Sequence, residues 1–345
     1  MKKKFYLLTL LLILFAAPLL QAQNLDNAGE YMNAIGNQRE SISKKFMSYV
    51  SAAAHGKRAR KVENLRSKLL NEVQEAKMNI SALPSFKGDG SYRDTTVNFL
   101  KLYYNILNED YSKIINLEDI AEQSYDDMEA YMMAQDMVDK KLEEGNEKLR
   151  LATEKFAAAN NIKLVDSKSE LSKMTDEVHA INKYYHEVYL LFFKPYKQEE
   201  YMLEAMGKGN ITGIEQNKSS LLRYAQDGLA KLATMKSFEG DNAVVFACKA
   251  MLNFYAREVN LHMNAITDYF LAKERFAGIE KEFKKKNKPS KEEVDAYNKA
   301  VNDINNASHA YNETNNDLNH ERSELLSTWN KSVNDFFDEH TPHYK

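Results

Sequence analysis

One cysteine, five prolines and twelve glycines among 345 residues exclude much before any motif is read. With Cys248 alone, no intramolecular disulfide can form even in an oxidising compartment, so stability must come from core burial. Sparse proline and glycine beside abundant Glu, Lys, Leu, Ala and Met point to long helices. No excess of positive charge is present, and a formal net charge of −3 gives no reason to expect nucleic acid as a partner. Enzyme signatures are missing too: no Gly-x-Ser-x-Gly elbow, phosphate-binding glycine loop, His-Glu-x-x-His motif or Cys–His pairing. A non-enzymatic protein without a cofactor is therefore expected. Aromatic residues, at 11%, are too many for a disordered or purely coiled-coil chain.

The opening MKKKFYLLTLLLILFAAPLLQAQN places three lysines before an uncharged apolar run, Phe5 to Leu20, with small or polar residues after it. This is the layout of a secretory signal peptide, and the run is short for a stable membrane span. Cleavage is expected after Ala22, making residues 1–22 the signal; Leu20 at the minus-three position is tolerable rather than ideal. An uncleaved N-terminal anchor is the competing reading. No cysteine follows the run, which excludes bacterial lipidation there. Loss of Lys2, Lys3 and Lys4 takes the formal charge from −3 to −6. The expected destination is the cell surface or periplasm of a Gram-negative bacterium, with no transmembrane span in the mature chain.

The remaining chain repeats itself. In residues 61–83, Val62, Leu65, Leu69, Val73, Ala76, Ile80 and Leu83 recur at spacings of three and four, one apolar stripe on a helix about 35 Å long. Moved by 152 positions the stripe becomes Ile214, Asn217, Leu221, Ala225, Gly228, Leu232 and Met235, with Asn217 its polar exception. Ungapped matches run over 61–114, including Gln74/Gln226, Leu100/Leu252 and Tyr103/Tyr255, and "AHGK" at 54–57 echoes "AMGK" at 205–208. An internal duplication follows. The expected fold is all-α: two tandem up-and-down antiparallel bundles, elongated, with 23–166 as the first and 167–345 as the second.

"SFKGD" at 85–89 and "SFEGD" at 237–241 are the conserved punctuation of this plan within the chain. Gly88 and Gly240 give the backbone freedom for a reversal. Asp89 and Asp241 stand where they can cap the next helix, and Phe86 and Phe238 where they can plug a bundle end. A cation role for the carboxylate is the alternative, but one Asp in a five-residue turn is far from a calcium loop. "NLED" at 116–119 reads as a break and new cap before a helix to Ala159, and 160–169 reads as the linker between copies. Second-copy helices are expected at about 169–206, 213–236, 241–286 and 290–338, the last opened by a Ser290/Glu293 capping box.

Candidate sites are few. The densest aromatic patch is "NKYYHEVYLLFFKPY" at 182–196, in which Tyr185, Tyr189, Phe192, Phe193 and Tyr196 span about half the helix circumference, flanked by Tyr184 and Tyr201. Pro195 is expected to kink or end that helix. The face is read either as core or as a ligand or partner surface beside the kink. Asp176-x-x-His179 and Asp317-x-x-His320 are the nearest approach to a di-iron pattern, but use Asp and lack Glu partners on other helices, so no metal centre is expected. His309, Glu313 and His320 fall on a polar face away from the Tyr311–Leu318–Leu325 seam. Met128, Met132, Met133 and Met137 suit packing better than a copper or haem site. Lysines at 281–291 and the basic turn 56–61 are read as solvated loops, with anionic glycan or phospholipid as the alternative.

The segment "NLEDIAEQSYDDMEAYMMAQDMVDKKLEE" (116–144), with "SFKGDGSYRDTTVNFLKLYYNIL" before it, resembles an uncharacterised family of exported bacterial helical surface proteins. The resemblance implies export and cell-surface display, and carries over no catalytic or binding residue. The leading expectation is an envelope or surface protein acting as a binding or scaffold bundle, with a protein, glycan or lipid of the envelope as partner. A periplasmic bundle binding metal or a small ligand is the alternative.

Overall fold

The computed structural model describes residues 25–110, 125–165 and 169–344. The expected signal (1–22) and the expected cap at 116–119 lie outside these residues, as does part of the 160–169 linker. Among the described residues 85% are helical and no strand is formed. Nine α-helices follow one another among the described residues: α1 (Ala28–Ala54), α2 (Ala59–Ser81), α3 (Ser91–Asn105), α4 (Tyr125–Ala159), α5 (Glu170–Gly207), α6 (Ile211–Thr234), α7 (Ala243–Arg257), α8 (Met263–Lys284) and α9 (Lys291–His340). The molecule is elongated; α9 alone, with 50 residues, is about 75 Å long.

Local chemistry sets the helix starts. Asn27 accepts from the N–H groups of Gly29 and Glu30, and Asn210 from that of Gly213. The capping box at Ser290 and Glu293 is formed in both directions, over 3.2 and 2.9 Å. Short connections join helices that touch in sequence order, α1–α2–α3 and α5–α6–α7, while α4 packs on α3, and α9 on α7 and α8. Helices joined by these tight reversals run antiparallel, whereas α7 and α8 continue one another through Glu258–His262.

Two buried cores result. The first gathers Tyr31, Ile35 and Ile42 of α1, the Leu69–Val73–Ala76–Ile80 stripe of α2, Phe86, Leu100 of α3, and Leu149 and Phe156 of α4. The second is built from α5 to α9 and centres on Phe192, Leu221, Leu252, Trp329 and Phe336. Full burial of a Leu or Ile side chain stabilises by about 1.5–3 kcal/mol, so the four-residue stripe of α2 alone is a large fraction of its unit's net stability. Met128 and Met132, at the start of α4, are buried in the second core while Leu149 and Phe156 of the same helix belong to the first. Helix α4 thus contributes to both cores.

Elements recur at a constant offset. Helix α3 ends in a π-turn at Ile106–Asp110 and α7 in one at Glu258–His262, so each helix, turn included, lies 152 residues from its counterpart. Phe86 and Asp89 exchange two backbone hydrogen bonds of 3.0 and 2.9 Å; Phe238 and Asp241 do the same over 3.0 and 2.8 Å. The π-turn makes the expected 241–286 helix a widened rod rather than a uniform one. The "AHGK"/"AMGK" pairing shifts in space: Gly56 ends its turn at φ +61 and its counterpart is Gly209 at φ +65, while Gly207 is still helical.

Pro195 does not end its helix: α5 continues through it from Glu170 to Gly207, close to the expected 169–206. The ring withholds the N–H that the Leu191 carbonyl would accept, at a cost of about 3 kcal/mol. Val188, Phe192 and Phe193 before the proline and Met202 after it are all buried in one core, and that burial offsets the cost. Helix α6 approaches closely here: a Cβ at Gly228 would lie 3.6 Å from the Leu191 carbonyl oxygen.

Candidate functional site

The two Ser-Phe-x-Gly-Asp turns have the geometry that their sequence requires. Lys87 and Gly88 take φ +50 and +86, and Glu239 and Gly240 take φ +51 and +95. Positive φ at both central residues is the mark of the tight hairpin turn that places Phe opposite Asp. Asp89 Oδ1 then accepts the N–H of Ser91 over 2.8 Å, and Asp241 Oδ1 that of Ala243 over 2.7 Å, capping α3 and α7. Each Phe closes an aromatic cluster. Phe86 meets Tyr31 at 5.3 Å and Phe156 at 5.2 Å; Phe238 meets Tyr184 at 5.3 Å and Phe336 at 5.4 Å. One difference separates the turns. Beside Phe238 stands an imidazole, His340, whose Nε2 is 3.1 Å from Asp241 Oδ2.

The aromatic residues of 184–201 lie in the second core or against it. Phe193 is buried, and Tyr184, Tyr185, Tyr189, Tyr196 and Tyr201 are half-buried. Tyr185 packs edge-on against Phe337 at 4.9 Å, and Phe192 stacks on Trp329 at 4.2 Å, joining α5 to α9. Burial pushes the Tyr184 and Tyr185 phenols up from their ordinary values. Tyr184 lines an open groove, a space of about 770 Å³ beside Pro195 and Gly228, where Lys194 lies 4.4 Å from the ring centre of Tyr224. The polar exception of the repeated stripe has its explanation nearby. Asn217 donates to the Tyr201 carbonyl over 3.2 Å and accepts from Gln198 over 2.6 Å, so it fastens α6 to α5.

A buried ionic cluster escaped sequence reasoning. Glu199 of α5 and Glu258 of the second π-turn are each 1% exposed, and Arg322 of α9 reaches both, over 2.6 and 2.8 Å. The guanidinium also lies over the Phe254 ring at 5.5 Å. Burial raises both carboxyls. For Glu258, the charge of Glu199 adds to burial and outweighs the attraction of Arg322, so its pKa is pushed up to about 9. For Glu199, burial is opposed first by the charge of Arg322. The offset of 152 places Ile106, a buried apolar residue, where the second π-turn has Glu258.

Between the halves runs an open groove of about 2460 Å³. Phe46 and His55 of α1, Phe99 and Tyr103 of α3, and His179 and His186 of α5 line it. At one end the chain terminus crosses to α1. The Tyr344 N–H donates to Ser51 Oγ over 3.0 Å, His55 Nδ1 is 2.8 Å from Asp338, and the His55 and His343 rings stack at 3.7 Å. Asp176 and His179 are exposed on α5, and His309 and His320 are exposed on α9, each beside the glutamate one turn on. Met128 and Met132 are buried; Met133 and Met137 face outward. Cys248 is fully buried, with its thiol pushed up by burial. No helix among the described residues is long and apolar enough to cross a membrane. The chain matches no family model, no curated protein and no solved structure.

Proposed function

We propose that this is an exported, non-enzymatic envelope or surface protein that acts as a binding or scaffold bundle, built by duplication of one helical unit. The groove between the halves carries the reading. It offers aromatic rings, histidines and carboxylates on two rigid walls, the mixture of apolar area and placed polar groups by which binding clefts recognise partners. The signal-like N-terminus and the resemblance of 116–144 to exported helical surface proteins support the location. Matching turns, π-turns and aromatic clusters support the duplication.

Location is tested by adding protease to intact cells, and again after the outer membrane is opened. Residues 160–165 are non-helical and expose Leu164 and Val165, which makes them a ready cleavage point. Cutting on intact cells is the expected result. Protection until the membrane is opened would remove surface display and leave a periplasmic role.

A further inference from the structure

We propose that Asp241, Glu339 and His340 bind one first-row transition-metal dication, for which Zn²⁺ is the fitting probe. The three meet where the second Ser-Phe-Glu-Gly-Asp turn touches the C-terminal end of α9, with one ligand atom from each within 4.8 Å of the others. His340 Nε2 and Asp241 Oδ2 are 3.1 Å apart. That is close to the edge, about 3.3 Å, of a zinc tetrahedron with bonds of about 2.0–2.1 Å.

Two of the ligands are held from behind. Asp241 spends Oδ1 on the Ala243 N–H, which fixes the carboxylate and leaves Oδ2 turned to His340. The imidazole is 10% exposed and is clamped between Phe238, edge-on at 5.1 Å, and Phe336 at 4.8 Å. Its other nitrogen, Nδ1, faces Glu239 at 4.0 Å. With the ring hydrogen on Nε2 the imidazole donates to Asp241; with it on Nδ1, toward Glu239, the Nε2 lone pair is free to bind a cation shared with Asp241 Oδ2. A carboxylate behind a ligating imidazole is a recurrent support of metal sites. The nitrogen ligand favours zinc and its neighbours over Ca²⁺ and Mg²⁺, which take oxygen. The first turn is an internal control, since Asp89 caps α3 in the same way and α4 contains no histidine. This site is independent of where the protein resides and of what fills the groove.

The test is calorimetric titration of Zn²⁺ into the full exported chain, purified without a polyhistidine tag and stripped with chelator. One Zn²⁺ per chain at micromolar affinity or tighter is expected. His340→Gln should weaken it at least ~100-fold, beyond the usual effect of losing an outer partner. Glu339→Gln, a change at an exposed side chain that leaves the fold intact, should weaken it about tenfold or more. Asp89→Asn and the double variant His309→Gln/His320→Gln should bind as the parent does, and excess Mg²⁺ should not displace the zinc. Absence of stoichiometric binding overturns the proposal, as does affinity indifferent to both His340→Gln and Glu339→Gln, loss in the His309/His320 variant, or displacement by Mg²⁺.

Discussion

The Nε–H of Arg322 donates to Glu199 over 2.6 Å, tying α9 to α5 across 123 residues of chain. Its Nη2 donates to Glu258 on the π-turn, so one guanidinium joins three elements of the second core. Taking charges out of water is costly, and such a cluster stabilises the fold only while it is complete. Arg322→Met is therefore expected to destabilise the protein by about 3–5 kcal/mol in denaturant titrations, because a buried carboxylate loses its counter-charge.

Glu258→Gln should behave quite differently. With its pKa pushed up to about 9, Glu258 holds its proton at neutral pH, and an amide reproduces its shape and charge. The variant should match the parent below the carboxyl range and outlast it at pH 7, by up to about 3 kcal/mol, because it folds without taking up a proton. The pH dependence is the sharper measurement. Below the ordinary carboxyl range both folded and unfolded chains carry the proton, and the native preference is fully expressed. Between that range and about pH 9 only the native state carries it, so stability falls as pH rises, by up to about 1.4 kcal/mol per unit from this group. Glu258→Gln should remove that contribution; an unchanged pH slope in the variant would contradict the protonated assignment.

The turns yield opposite effects from adjacent residues. Gly88 sits at φ +86, and Ala there should cost about 1–2 kcal/mol. Lys87, at φ +50, already bears that strain as a non-glycine residue. Asn tolerates the left-handed region better, so Lys87→Asn should stabilise by about 0.5–1 kcal/mol, and Glu239→Asn likewise. Thermal melts of the single variants would measure each sign.

Cys248 is buried and its thiol is pushed up by burial alone. An aromatic disulfide reagent should leave the native protein unmodified and label one thiol per chain after unfolding. Rapid labelling under native conditions would show that α7 opens locally at low cost.

Much of this architecture was legible in the chain. The Leu69–Val73–Ala76–Ile80 spacing can bury only as a helix face, Ser290 and Glu293 can reciprocate only at a helix start, and the 152-residue echo located both hairpin turns. Each of these signals acts between residues close in sequence, where spacing fixes geometry. Pro195 stays inside α5 because the core that Phe192, Phe193 and Met202 share across it outweighs the local penalty, a balance that depends on residues outside the local stretch. The aromatic run was visible as a patch, but whether α9 would cover it depended on Trp329 and Phe337, more than a hundred residues away.

The sequence by itself determined helix identity, the turns and the exclusion of intramolecular disulfides, since backbone propensity and periodicity are properties of neighbouring residues. Only the tertiary structure decided which charged residues meet. Glu199, Glu258 and Arg322, or Asp241 and His340, become partners because helices tens of residues long pack in one register rather than another. That register is set by core burial summed over the whole bundle, a quantity to which no short stretch of sequence gives access.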